Sequence, residues 1–376
     1  MLFQEISDDL GLNLVQIGWV WGITGLAGLF AAIPAGLFSD KFGVTRTLFF
    51  ACLLQGIFSA LRGTAGGFIS LTTIVFFFGL FGVPMSFTTH QAAGKWFSGR
   101  QLGFANGVLA MGMGFGVTVG SMVNATLLSP LFGGWRNLMF VYGAIAVIIS
   151  LLWFKARRSP PGQGEVVKPP NKVPFREALS HVIRIRALWL IAVAYMFIVG
   201  FGNGIIGYLP LYLRSIGWTA VSADGALATM SAASVVGVVP MAMLSDKIGL
   251  RKGIISMTIL LSIIGGGLLA AFAGPTVWLS AAMIGLVREG VSAILITMIM
   301  ETEGVGAAYS GTALGVSMSL AFLGNFLGPP IGNRLAVINP SFAFIFWSGL
   351  AVVALIIFQF VRETGWKKRN TQLMTV

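Results

Sequence analysis

The chain has 376 residues, of which 56% are hydrophobic and only 10% charged, and its formal net charge is +12. Soluble domains carry about a quarter charged residues, so this chain has too few charges to coat the two or three domains its length would otherwise form. The basic residues are scattered between apolar runs rather than clustered, which speaks against nucleic acid and for a membrane protein.

A membrane-crossing helix needs about 20 mostly apolar residues. Eleven such segments follow in chain order, at 16–37, 45–65, 69–93, 102–127, 135–154, 187–212, 223–244, 252–273, 276–299, 306–330 and 339–361. Several are rich in Gly and Phe without period-2 alternation, so barrel strands are not expected. Fifty glycines against 14 prolines suit closely packed membrane helices. Cys52, the one cysteine, falls in an apolar run and implies neither redox chemistry nor a metal.

Basic residues set the orientation. Lys41, Arg46, Lys95, Arg100, Lys247, Arg251 and Lys252 share one side with the basic 155–186 stretch and the C-terminal tail. The other side has only Arg62, Arg136, Arg214 and Arg334, so the first side is cytoplasmic. Trp19, Trp135, Trp218 and Trp278 fall near outer span ends, where an interfacial aromatic belt belongs. Residues 1–154 form an N-terminal bundle of five spans, 155–186 a cytoplasmic linker with two Pro-Pro pairs, and 187–376 a C-terminal bundle of six spans with a short tail. Within the linker, 175–181 reads as a short surface helix.

The halves repeat. Gly36, Asp40, Lys41, Gly43 and Arg46 recur as Ala242, Asp246, Lys247, Gly249 and Arg251, with the two aspartates 206 residues apart. Gly82 and Gly290, Gly107 and Gly315, and the pair Gly116/Gly120 and Gly324/Gly328 are each 208 apart. Repeated bundles in a chain this apolar point to a transporter. The mate of 187–212 would precede Met1, so the first span of a twelve-span arrangement is expected to be missing. A start upstream of Met1 or a truncated copy would each explain this.

The doubled motif resembles the signature of the major facilitator superfamily, and the resemblance covers essentially the whole chain. Lys95-Trp-Phe-Ser-Gly-Arg100 and Gly134-Trp-Arg136 are similar to further family landmarks. The resemblance implies two bundles that rock about a central site, and a conformational latch at Gly36, Asp40, Lys41, Gly43, Arg46, Asp246, Lys247, Gly249 and Arg251. In that latch each carboxylate contacts basic residues of its own turn and a helix N-terminus of the other bundle. Two departures stand out. Proton-coupled members often have Arg four residues before the Gly of the fourth span, where this chain has Phe78. The Gly-Pro of drug antiporters is Gly120-Ser121 here.

Candidate solute-binding residues are Arg288, Glu289, Asn203 and Asn124. A charge at helix centre costs roughly 2.5–3.5 kcal/mol on insertion scales and persists where it meets a partner or a wet cavity. Arg288 and Glu289 fall mid-span, and the resemblance implies that this span lines the cavity. Adjacent residues point about 100° apart, so the two are not expected to pair. Asn203 sits in Gly200-Phe-Gly202-Asn-Gly204, where a helix could break and offer its backbone. Intramembrane amides such as Asn124 also serve as interhelical hydrogen bonds. Tyr208 reads as an interfacial anchor, Gly112, Gly116 and Gly120 as a packing stripe, and His90 with Gln91 as packed or solvent-reached groups. There is no catalytic set, no metal-ligand spacing and no P-loop.

The reading is therefore an all-α membrane protein of two pseudo-repeated bundles that moves a small solute, with an anion favoured by Arg288. It works as a symporter or uniporter in the cell (inner) membrane and is not an enzyme. The bilayer and a coupling proton or other ion are further partners. No cofactor and no nucleic acid are expected, and the protein is taken as a monomer. The alternatives are a non-transporting sensor of the same fold and a non-functional truncated transporter.

Overall fold

A computed structural model describes residues 2–97, 99–155 and 174–364. The linker's Pro-Pro pairs and the tail beyond 364 lie outside the described residues. In chain order the helices of the first half are α1 (Phe3–Leu10), α2 (Leu14–Phe42), α3 (Val44–Leu61), α4 (Phe68–Trp96), α5 (Gly99–Val123), α6 (Ser129–Leu131) and α7 (Trp135–Lys155). Those of the second are α8 (Phe175–Val182), α9 (Arg186–Ser215), α10 (Ala220–Ile248), α11 (Arg251–Ala271), α12 (Thr276–Glu301), α13 (Gly306–Ala336) and α14 (Pro340–Gln359). A 3₁₀ turn (Arg62–Thr64) follows α3, and a π-helical stretch (Asn124–Leu128) joins α5 to α6. Among the described residues, eleven helical segments are long and apolar enough to cross a membrane.

Local sequence sets the ends. Asn13 and Gln16 form a capping box at the start of α2, Thr219 caps α10, and Asn339 precedes Pro340 at the first turn of α14. Pro34, Pro84, Pro210, Pro240 and the Pro329–Pro330 pair lie inside helices that continue through them. Apolar surroundings favour an unbroken helix, because neighbouring groups must otherwise satisfy the freed carbonyls.

The chain divides into two compact units, Met1–Pro170 and Asn171–Val376. In the first, α3 lies against α4 and α7, and α2 packs along α4. In the second, α9 runs along α13 and against α14, α10 packs on α12, and α11 bridges α12 and α14.

One element is added and three expectations are corrected. The segment before the first span, outside every expected span, is the helix α1. Its apolar face (Leu2, Ile6, Leu10) packs on Trp135, Leu138 and Met139. Asp9 fixes it there, accepting from Trp135 Nε1 at 3.1 Å and from Arg136 Nε at 2.9 Å. Trp135 is accordingly buried, not part of an exposed belt. The glycines of 200–204 do not break α9. They let neighbours approach: a Cβ on Gly200 would come within 3.2 Å of the Gly324 carbonyl oxygen, and one on Gly204 within 2.2 Å of the Trp347 ring. Finally, Tyr208 is a core residue, its ring against Phe344 and Trp347.

Candidate functional site

The mid-span charges sit in the second unit on α12. Contact with α10 fixes that helix: the Ser234 hydroxyl donates to the Gly285 carbonyl at 2.9 Å, and a Cβ on Gly237 would lie 1.9 Å from the Leu286 carbonyl oxygen. With one face of α12 pressed against α10, Arg288 reaches toward α9. Its Cδ lies 3.6 Å from where a Gly202 Cβ would stand. Arg288 and Glu289 form an ion pair, Nη2 to Oε1, contrary to the expectation from their angular separation. The long guanidinium stem curls along the helix surface, so the Cβ directions do not decide the contact. The Arg288 side chain is 26% exposed and that of Glu289 46%, while Arg288 Nε is buried without a hydrogen-bond partner. Ser292, one turn along α12, donates to the Arg288 carbonyl at 3.5 Å, and Tyr195 of α9 is buried close to this part of α12. Asn203, beside Gly202, is half-buried on the same helix.

Arg288, Glu289 and the neighbourhood of Asn203 therefore come together, with Tyr195 and Ser292 added. Sequence reading did not single out Tyr195. A tyrosine seven residues before Gly202, two turns along the same face of α9, is the signal that was available.

Asn124 lies in the first unit. Its Oδ1 accepts from the Tyr142 hydroxyl at 2.5 Å, at the start of the π-helical stretch. Beside this pair is a cavity of about 280 Å³ whose lining includes Trp21, Thr24, Arg62, Phe78, Asn124 and Tyr142. Arg62, placed by sequence at the outer end of the 45–65 span, turns inward. Its guanidinium stacks 4.2 Å from the centroid of Phe78, the residue standing where proton-coupled relatives often carry arginine. Arg62 donates to the Ser59 hydroxyl at 2.8 Å, and its Nε is buried without a partner.

The repeated turns close two helices. Gly43 and Gly249 have φ of 84° and 68°, left-handed values that glycine adopts without strain. In the second turn Arg251 bridges Asp246 Oδ1 at 3.1 Å and both oxygens of Glu301 at 2.7 and 2.9 Å. Glu363 accepts from the backbone N–H groups of Arg251 and Lys252, satisfying the first turn of α11. Neither Glu301 nor Glu363 was foreseen, since each is distant in sequence. Lys247 is exposed. In the first turn Lys41 lies 5.3 Å from the Phe42 ring centroid, Arg46 is exposed, and Ser39 donates to Gln91 at 2.6 Å. Gly36 and Asp40 stand on the last turns of α2, and their side-chain surroundings lie outside the described set. His181 bonds the Gly304 carbonyl at 2.8 Å and stacks on Tyr309.

The sequence model of the Major Facilitator Superfamily matches residues 1–239 and 215–374. The chain belongs to that superfamily. It is thus a multi-pass integral membrane protein of a transporter family, not an enzyme family. Among curated relatives, the hexuronate transporter of Bacillus subtilis is 26% identical over 98% of this chain and 90% of its own length. The probable nitrate/nitrite transporter NarK2 of Mycobacterium tuberculosis is 25% identical over 87% and 82%. The probable galactarate/D-glucarate transporter GudP of Escherichia coli is 25% identical, over 42% of this chain and 36% of that protein. Among solved structures, a bacterial homologue of the lysosomal transporter Spinster, inward-facing and unoccupied, superposes with a TM-score of 0.73 at 17% identity, over 96% of this chain and 89% of that one. The nucleoside transporter NupG gives 0.75 at 12% identity, over 96% and 93%. These likenesses establish the fold.

Proposed function

We propose that this superfamily member is a secondary transporter that moves a small organic or inorganic anion by alternating access. The observation that carries the reading is Arg288, an arginine at the middle of a membrane span whose one ion partner among the described residues is its neighbour Glu289. The relatives named for hexuronate, nitrate/nitrite and galactarate/glucarate support it, because every one of those solutes is an anion.

A planar guanidinium suits bidentate capture of a carboxylate or nitrate. While Glu289 holds one edge of it, an incoming anion must compete. A proton on Glu289 dissolves the pair and releases the fork, which gives proton–anion symport a physical basis. Ser292, Tyr195 and Asn203 supply neutral hydrogen-bonding groups for the rest of the solute. The aspartate turns bias the inward- and outward-open states, which differ by only a few kcal/mol in a two-state carrier. The protein acts as a monomer in this scheme.

Counterflow uptake into proteoliposomes tests it, with a panel of hexuronate, aldarate, nitrate and a neutral hexose. Anion uptake that quickens as external pH falls in the native chain, but not in Glu289→Gln, is the expected result. Uptake confined to the neutral sugar would refute the anion reading. Binding without flux would favour a sensor.

A further inference from the structure

The second unit carries an open groove of about 530 Å³ on the side that the basic residues mark as cytoplasmic. Arg176, Glu177, Ser180, His181 and Arg184 line it together with Tyr309 of α13. Helical spacing explains how so short a helix builds a wall. Ala178 and Val182, four residues apart, share a face of α8, and both are buried where α8 packs on α13. Arg176, Ser180 and Arg184, again at intervals of four, are exposed. The chain stays wound past Val182, with the Arg184 N–H donating to the His181 carbonyl at 3.2 Å. His181 ties the two walls together. Its Nε2 donates to the Gly304 carbonyl at 2.8 Å, in the turn before α13, and its ring stacks on Tyr309 with centroids 4.2 Å apart.

The positive charge here is uncompensated. Arg176, Arg184 and Arg186, the first residue of α9, are all exposed, and among the described residues none has an ion-pair partner. Glu177, the carboxylate lining the groove, pairs with none of them. An independent observation places lipid beside these charges. Ile183, next to Arg184 in the chain, and Trp189, in the first turn of α9, are 46% and 39% exposed. The Trp189 Nε1 donates to the Ile183 carbonyl at 2.8 Å, so its polar edge is satisfied while its apolar body stays open. That is the disposition of an indole at a membrane interface.

We infer that this groove seats the phosphate of an anionic phospholipid of the cytoplasmic leaflet, of the phosphatidylglycerol class. Arg176 and Arg184 supply the charge, Ser180 and Tyr309 offer hydroxyl donors, and the apolar edge at Ile183 and Trp189 meets the acyl chains. The leaflet's own negative surface favours such a juxtamembrane basic site. The apolar edge selects a lipid over a free phosphate, which has nothing to place there. This inference does not rest on the anion reading of Arg288.

The test offers the purified full-length chain an equimolar mixture of phosphatidylglycerol and phosphatidylcholine in maltoside micelles and counts the lipid retained by native mass spectrometry. The first lipid retained is phosphatidylglycerol, by roughly tenfold over phosphatidylcholine. The double variant Arg176→Gln/Arg184→Gln loses that preference, and each single variant loses part of it. Trp189→Ser retains less of both lipids. Lys155→Gln/Arg362→Gln, which removes the same charge elsewhere on the cytoplasmic side, keeps the preference. Equal retention of the two lipids, or an unchanged preference in Arg176→Gln/Arg184→Gln, overturns the inference. An equal loss in Lys155→Gln/Arg362→Gln also overturns it, by assigning the effect to diffuse surface charge. So does retention of glycerol 3-phosphate in place of the lipid from an equimolar mixture, which would assign the groove to a soluble phosphate ester. The thermal midpoint of Arg176→Gln/Arg184→Gln in lipid-free micelles is unchanged, because both side chains are exposed. A fall there would make the two arginines structural and overturn the inference as well.

Discussion

In the second unit α9 is sealed in place: 61% of its most apolar stretch is buried, and Gly324 and Gly328 lie against its backbone. In the first unit only 11% of the most apolar window between Met111 and Leu131 is buried, against 33% in its repeat mate α13, and a Cβ on Gly112 or Gly116 would meet nothing within 4 Å. The residues of the stripe are alike, so the difference lies in what covers them. Small residues along a membrane helix record where a neighbour fits. They contribute stability only once it is there, because helix association in lipid depends on close packing rather than on hydrophobic burial.

The contrast extends to charge, and there the largest effect is expected. The second unit ties α9 to α10 by Arg214 and the fully buried Asp224, 3.2 Å apart. The residue 206 positions earlier is Gly18, so the first unit has no acid there. Asp224→Asn leaves the guanidinium poorly compensated and should cost about 3–5 kcal/mol. The check is a sharp fall in the thermal midpoint of purified protein, with no comparable loss for Gly18→Ala. An unchanged midpoint in Asp224→Asn would show that the outer end of α9 is held by other contacts.

Next comes the stripe itself. Gly328→Leu pushes a side chain into the Gly200 backbone and should cost about 3 kcal/mol, the upper range for overpacking. Gly116→Leu, at an exposed glycine of the α5 stripe, should change stability by less than about 0.5 kcal/mol, as exposed positions usually do. Fluorescence-detected size exclusion after a heat step separates the two. Equal losses would mean that both faces are packed, and the contrast between the units would fail.

The aspartate turns should differ least. Asp40→Asn is expected to shift the balance of inward- and outward-open states by about 1–2 kcal/mol, the loss of the latch role that the family resemblance implies for this carboxylate. Asp246→Asn should do less, since Arg251 keeps its two bonds to Glu301 when Asp246 loses its charge. Cysteine-accessibility labelling on both membrane faces reads the shift. Identical labelling in both variants would remove the conformational role.

Much of the architecture was legible in the chain. Long apolar runs gave the eleven spans, because a bilayer admits few alternatives to a continuous helix, and the 206–208-residue spacing gave the pairing of the halves. Three things were not legible. The Arg288–Glu289 pair depends on how a flexible stem bends, which Cβ geometry does not encode. Glu301 and Glu363 reach Arg251 only through tertiary packing across 50 and 112 residues. The glycines of 200–204 read equally well as a break or a seam until Trp347 and Gly324 are seen against them. The fate of the α5 stripe was hidden for a related reason: composition shows that a helix face can be covered, not that it is.

The most direct test of anion capture at Arg288 is equilibrium binding of the anion selected by the uptake panel, measured calorimetrically on monodisperse native, Arg288→Lys and Arg288→Gln protein. An anion site at Arg288 predicts affinity falling about tenfold in Arg288→Lys, where charge remains but the planar fork is lost, and further, toward no detectable binding, in Arg288→Gln. Native affinity in the folded fraction of Arg288→Gln would contradict it and reduce Arg288 to a structural partner of Glu289.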